Sequence, residues 1–225
     1  MRVETPSAAG IFITLEGGEG AGKSTQSRRL KEALEAQGRA VLLTREPGGT
    51  PEGEKIRDLI TQREGGNWTP IAECLLFFAA RQMHVEKIIK PALARGEIVI
   101  CDRFTDSTRS YQGYGHGFPL ETIEEINSLT LAGFAPDLTF ILDLPVEVGL
   151  KRSFAQKEQA AGREMTEDRF ERLDKSFHEK LRQGFLDIAA KNKHRCRVVD
   201  AQQTQDQIFA VLMDQITKVM AAHAV

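Results

Sequence analysis

Gly17-Gly18-Glu19-Gly20-Ala21-Gly22-Lys23-Ser24 fits the pattern GxxxxGK(S/T); it follows the β-prone run Ile11-Phe12-Ile13-Thr14-Leu15-Glu16 and opens a helix-favouring stretch at Lys23. A strand-to-helix turn of this composition is a polyphosphate cradle. Glycines let backbone N–H groups curl around phosphate oxygens with no Cβ in the way. The helix start adds its positive dipole end, Lys23 can reach the β and γ phosphates, and the Ser24 hydroxyl is placed to ligate magnesium.

Outward from the loop, apolar runs recur at Ala40 to Thr44, Glu97 to Asp102, Leu138 to Asp143 and Arg197 to Asp200. With Ile11 to Glu16 they make five continuous, non-alternating runs, the pattern of parallel strands buried on both faces. Between them the sequence predicts helices over Lys23 to Gln37, Glu52 to Gln62, Pro70 to Arg95, Leu120 to Leu131, Val146 to Gln159, Glu167 to Lys191 and Thr204 to Ala222. Gly38 stops the first, and Thr69-Pro70 supplies a cap and first-turn proline for the third. The alternation implies a three-layer α/β/α fold with a five-stranded parallel sheet, whose ligands sit at the carboxyl ends of the strands.

At 225 residues, with no Pro/Gly/Ser-rich linker, one domain over residues 11–225 is expected, preceded by a loose tail at 1–10. A net charge of −2 without a Lys/Arg run argues against nucleic acid or a membrane surface as partner. No apolar stretch is long enough to span a bilayer, and Met1 to Gly10 lacks signal-peptide character. Cys74, Cys101 and Cys196 lack CxxC spacing and read as reduced core residues of a cytosolic protein. His84, His116, His178, His194 and His223 show no metal-ligand spacing and read as surface or helix-end residues, so no structural zinc is expected. The polar stretch Gln156 to Thr166, holding Lys157 and Arg163, is either a plain loop or a mobile lid.

Thr44-Arg45-Glu46-Pro47-Gly48-Gly49-Thr50 ends the second strand, and Asp102-Arg103 ends the third. Taken singly, each arginine reads as a surface ion-pair partner. Together, two guanidiniums on one rim beside a phosphate loop imply an acceptor that already carries a phosphate. An acid ending an apolar strand in that position commonly serves magnesium. Phe77 and Arg81 fall four apart on one helix face, a spacing that could stack a base on the ring and bond its edge with the guanidinium. Gln112, in Ser107-Thr108-Arg109-Ser110-Tyr111-Gln112-Gly113, can donate and accept, as reading a pyrimidine edge requires.

These segments, with Phe77-Phe78-Ala79-Ala80-Arg81 and Asp168-Arg169-Phe170-Glu171, run in an order that resembles the bacterial thymidylate kinases. The resemblance implies the P-loop NTPase fold, with a helical lid at about 153–168. It implies a cytoplasmic homodimer that transfers the γ-phosphoryl of ATP to dTMP with Mg2+. Gly17, Gly18, Glu19, Gly20, Ala21, Gly22, Lys23, Ser24 and Thr25 would bind ATP, with Arg152 packing against adenine. Arg45 and Arg103, with Arg57 as a third contact, would hold the dTMP phosphate, and Glu19 would engage the 3′-hydroxyl. Phe77 would stack on thymine, Arg81 and Gln112 would bond its edge, and Ser107 or Thr108 would line the pocket. Tyr111 would sit beside C2′ and disfavour ribonucleotides, and Ser24 and Asp102 would serve the metal.

The loop itself carries no cation at Gly18, Glu19, Gly20 or Ala21, so charge developing on the transferred group needs a second source besides Lys23. Arg163 is the lid residue matched to that role, with Lys157 and Arg169 behind it. Two rivals are a deoxynucleoside kinase, for which Glu46 could serve as base, and a nucleotide switch ATPase. The nearest string to a guanine-binding NKxD motif, Asn192-Lys193-His194-Arg195, lacks the acid.

Overall fold

The computed structural model describes residues 10–62, 66–159 and 167–223. Five strands, β1 (Ile11–Glu16), β2 (Val41–Arg45), β3 (Ile98–Asp102), β4 (Leu138–Asp143) and β5 (Cys196–Asp200), form one sheet in the order β2-β3-β1-β4-β5. All pairs are parallel, with Ile11 opposite Ile98 and Ile13 opposite Leu138. From β1 the chain crosses to the edge at β2 and returns inward to β3, and then passes to β4 and β5 on the other side, so the direction of winding changes beside β1. That crevice is where a doubly wound sheet holds its ligand.

Every residue of β1 is buried, because both faces of the sheet are covered. Ile13, Leu15, Ile100, Phe140 and Leu142 face α1 (Lys23–Ala36) and α9 (Gln205–His223), meeting Leu30, Leu34, Ile208 and Leu212. Phe12, Val99 and Cys101 face the other way, toward Val85, Ile89, Phe104 and Leu131. The alternation along the inner strands β1 and β3 therefore feeds two cores rather than one core and solvent. Cys74, Cys101 and Cys196 are all buried thiols.

On the second face, α2 (Pro51–Thr61) and α3 (Pro70–His84) precede a wider π-helical turn, Val85–Ile89, and α4 (Lys90–Ala94). The predicted helix from Pro70 to Arg95 thus runs continuously, with Thr69 capping it by accepting from Ala72 N–H. Its local widening, where Lys90 N–H donates to Val85 O, lies just before Pro91, which has no N–H to continue the α ladder.

Two expectations are corrected, and one helical segment is added. The helix foreseen from Glu167 starts only at Lys175 as α8 (Lys175–Lys191): the Asp174 carboxylate accepts from Phe177 N–H at 2.8 Å and caps it, while Phe170 turns inward against the Tyr111 ring. The hydroxyl-rich run after Arg103 forms α5 (Thr105–Thr108) and a π-helical segment, Arg109–Gly115, although its composition is poor for helix. Tertiary anchors override propensity there, since Asp106 is held by Arg195 at 2.6 Å and Glu16 accepts from Phe104 N–H. His178 is buried within α8 rather than superficial, while His84 is a helix-end residue, closing α3, yet buried beneath the β2 loop. Two further helices, α6 (Leu120–Leu131) and α7 (Val146–Gln159), match their predicted spans.

Phe140 is fully buried where β4 meets the α1 and α9 face. Phe140→Ala should cost about 3–5 kcal/mol through lost burial and the cavity left behind. The check is a lower urea midpoint at unchanged m-value.

Candidate active site

The turn after β1 is shaped by backbone that a side chain would obstruct. Gly17 has φ 136° and a Cβ there would lie 2.5 Å from Leu142 O; at Gly20, φ 65°, it would lie 2.1 Å from Gly149 O. The loop is thereby seated on β4 and α7. Lys23 is buried, and its Nζ donates to Gly17 O at 3.1 Å and Gly18 O at 2.8 Å. Burial and the nearby Arg103 lower its pKa, against the pull of Glu19 and Asp102. Ser24 Oγ donates to Asp102 Oδ2 at 2.6 Å, so a hydroxyl and a carboxylate stand together beside the loop.

In front of the loop lies a cavity of about 770 Å³. Glu19, Arg45, Arg57, Phe77, Arg81, Arg103, Ser107, Thr108, Tyr111 and Gln112, expected from sequence to meet one nucleotide, all line it, as do Asp102 and the loop from Gly20 to Thr25. Gly17 and Gly18 instead border a small void beneath the loop. Arg152 stands outside the cavity beside Gly20, with Nη1 donating to Ala201 O at 3.3 Å. Arg163 lies outside the described residues. Of its alternates, Lys157 lines the cavity and Arg169 does not, being tied to Glu73 and Ile60 O.

Carboxylates hold the arginine cluster in place. Arg45 makes a forked pair with Glu54 at 3.0 and 3.1 Å, and Arg57 pairs with Glu167 at 2.6 Å while donating to Pro47 O. Arg103 takes φ 72°, uncommon for a residue with a side chain, fixed by its own N–H to Leu15 O at 2.9 Å. From there its guanidinium reaches Gly17 O, Ser107 Oγ and Glu19, the last at 2.9 Å.

Glu19 and Glu16 sit three residues apart and are driven in opposite directions. Burial works to raise Glu19, but Arg103, Lys23 and the hydroxyl donated by Tyr111 bring it down to about 2. Burial keeps the Tyr111 phenol well above its usual pKa, so it remains the donor in that bond. Glu16 is pushed up to about 7 by burial and by the charge of Asp106, despite accepting from Ser107 Oγ at 2.6 Å and Phe104 N–H at 2.7 Å.

Several lining residues were not singled out as site residues from sequence. Phe170 packs 6.4 Å from Phe77, and Glu171, its pKa raised by burial and Glu19, pairs with Lys157 at 2.7 Å. Both belong to the Asp168-Arg169-Phe170-Glu171 run, whose only signal was its place in the motif order. Glu46 lines the cavity but is engaged by Arg81 at 2.6 Å and His84 at 3.0 Å. Such engagement is unsuited to the base that a deoxynucleoside kinase would need there.

A doubly wound sheet, a phosphate loop at its switch point and an arginine-lined cavity beyond it define a P-loop nucleotide kinase. The family model described as "Thymidylate kinase" matches residues 15–211. The chain is 48% identical to the thymidylate kinase of Caulobacter vibrioides, over 93% of this chain and 97% of that one. It is 51% identical to that of Citrifermentans bemidjiense, over 85% and 84% of the two. The crystal structure of thymidylate kinase from Ehrlichia chaffeensis superposes with a TM-score of 0.72 at 36% identity, covering 92% of this chain and 99% of that one. The chain belongs to the thymidylate kinase family.

The raised pKa of Glu16 has a testable sign. In the unfolded chain the group titrates near 4.5 and in the fold near 7, so the fold holds the proton between those values and stability falls as pH rises through that window. Glu16→Gln removes this contribution. Its urea midpoint, relative to the parent, should climb from pH 4.5 to 7; parallel curves would show that Glu16 does not titrate there.

Proposed function

We propose that the described cavity is the dTMP site of an ATP-dependent thymidylate kinase, with the donor nucleotide lying across the loop from Gly17 to Thr25. The observation that carries the acceptor assignment is a pair of buried polar atoms on lining residues with no hydrogen-bond partner: Arg81 Nη1, a donor, and Gln112 Oε1, an acceptor. Buried polar atoms are rarely left unpaired without a reason. A donor and an acceptor lining one cavity match O4 and N3–H of thymine. Half-buried Phe77 offers the ring face on which the base stacks.

In this reading Arg45, Arg57 and Arg103 exchange part of their carboxylate pairing for the dTMP phosphate, a charge-assisted and bidentate-capable contact. Glu19, ionised at neutral pH, accepts from the 3′-hydroxyl, and Tyr111 fills the space beside C2′. The acceptor oxygen is already anionic, so no strong base is called for; catalysis is in-line positioning and charge neutralisation. Ser24 and Asp102, adjacent hard oxygen donors at the loop, fit Mg2+. The metal, when bound, neutralises and orients the donor phosphates. Lys23 stabilises charge from the opposite side, and Arg163 supplies the remaining cation from a lid at about 153–168 that excludes water. Arg152, beside Gly20 and the end of β5, is suited to face adenine.

Residues 11–225 act as one domain in this reading. The exposed apolar side chains Ile71 and Leu75 on one face of α3 support a homodimer interface there. Among the described residues no helix is long and apolar enough to cross a membrane, and the buried free thiols suit a reducing cytoplasm.

An ADP-release assay across nucleoside monophosphates should show dTMP as the preferred acceptor, with thymidine nearly inert. Equal turnover with thymidine would overturn the assignment. Arg163→Ala should lower kcat by roughly 10²-fold while leaving dTMP affinity nearly intact. Single-turnover kinetics with an unaltered phosphoryl-transfer rate would remove Arg163 from the mechanism.

A further inference from the structure

Arg81 is held on more sides than an arginine that merely fills a core. Its Nε donates to Glu46 Oε2 at 2.6 Å, and its Nη2 donates to Phe104 O and Thr108 Oγ1, both at 3.1 Å. Its guanidinium carbon lies 4.8 Å from the Phe78 ring centre and 5.4 Å from that of Phe104. Two of the three nitrogens are thus committed, the plane is fixed by aromatic rings, and Nη1 alone is left buried without a partner.

The acid that fixes Nε is itself fixed. Glu46 Oε1 lies 3.0 Å from His84 Nδ1, and His84 Nε2 lies 2.7 Å from Thr44 Oγ1. An ionised carboxylate only accepts, so Nδ1 carries the proton whichever way the Thr44 hydroxyl points. Glu46 and His84 are 5% and 0% exposed, which shields the chain of bonds from water. Glu46 is anchored through its backbone as well, its N–H donating to Asp102 O at 3.0 Å.

We propose that Glu46, braced by His84 and Thr44, is a positioning residue for base selection: it holds Arg81 so that Nη1, a donor and nothing else, faces position 4 of the pyrimidine. The inference rests on the base-reading role given to Arg81 above. A 4-oxo pyrimidine offers an acceptor to that donor, whereas a 4-amino pyrimidine offers a donor and leaves both groups unpaired. Gln112 enforces this choice less firmly, because one long bond, from its Nε2 to Glu73 Oε2 at 3.4 Å, is what keeps its amide from exchanging donor for acceptor. A guanidinium has no such alternative face, provided it cannot swing away. Glu46 removes the swing.

The test compares kcat/KM for dTMP and dCMP, with saturating ATP and Mg2+, in the full-length parent, Glu46→Gln and Arg81→Met. Glu46→Gln keeps the size of the side chain but weakens the grip on Nε and puts an amide against His84. It should lower the dTMP-to-dCMP ratio by about 10- to 100-fold, chiefly through KM for dTMP, with KM for ATP within about twofold of the parent. Arg81→Met should collapse the ratio at least as far. An unchanged ratio in Glu46→Gln beside a collapsed one in Arg81→Met overturns the positioning role and leaves the base assignment standing. An unchanged ratio in both overturns the base assignment itself. Equal losses toward dTMP and dCMP in Glu46→Gln mean a merely structural role and also overturn the proposal. If Glu46→Gln does not fold, Glu46→Asp carries the same comparison, its charge kept but drawn back by one methylene, and should give a ratio between those of the parent and Arg81→Met.

Discussion

The 2.9 Å ion pair between Arg103 and Glu19 joins the end of β3 to the phosphate loop, and the site is organised around it. It fixes the distance between the loop after β1 and the element that presents a guanidinium to the cavity. The link is made possible by a backbone in an uncommon region, Arg103 at φ 72°, which costs on the order of 1–3 kcal/mol and persists because its neighbours leave no alternative. Leu15 O receives its N–H, and Glu16 holds the N–H of Phe104 immediately after it. The last two residues of the central strand therefore set the direction of a side chain on the strand beside it.

A second constraint is charge balance in a partly buried place. Cations gathered for phosphate would repel one another and lose solvation, and each is countered by an acid of its own: Arg45 by Glu54, Arg57 by Glu167, Arg81 by Glu46 and Lys157 by Glu171. The acids differ in consequence. Arg45, with its side chain 48% exposed, can trade its partner for a ligand at little cost, whereas Arg81 and Glu46 are sealed and behave as a fixed unit. The same contrast separates Glu16 from Glu19: burial without a full complement of cations raises one, and two nearby cations lower the other.

Most of the sheet was legible because a strand covered on both faces is apolar at successive positions. The span of β1 and that of β4 were readable residue for residue. The glycine spacing between Gly17 and Gly22 left few other uses for that turn. Where the sequence was silent or misleading, local preference and tertiary demand disagreed: the hydroxyl-rich run after Arg103 is wound by Glu16 at the end of β1 and Arg195 just before β5, and the start of α8 is delayed by Asp174 and by Phe170 turning inward.

The sequence by itself determined which chemistry is present: a loop that can bind polyphosphate, arginines at strand ends, and an aromatic and an arginine on one face of a helix. These follow from residue type and from periods of two and 3.6 residues, which act over a few neighbours. Only the tertiary structure decided which arginine carries out which task. Arg45, Arg81 and Arg169 look alike in the chain, yet one is half-exposed on the rim, one is locked against Glu46 with a single nitrogen, Nη1, to spare, and one is drawn off to Glu73. That choice is made by carboxylates far away in sequence, and charge pairing across such separations has no local signature.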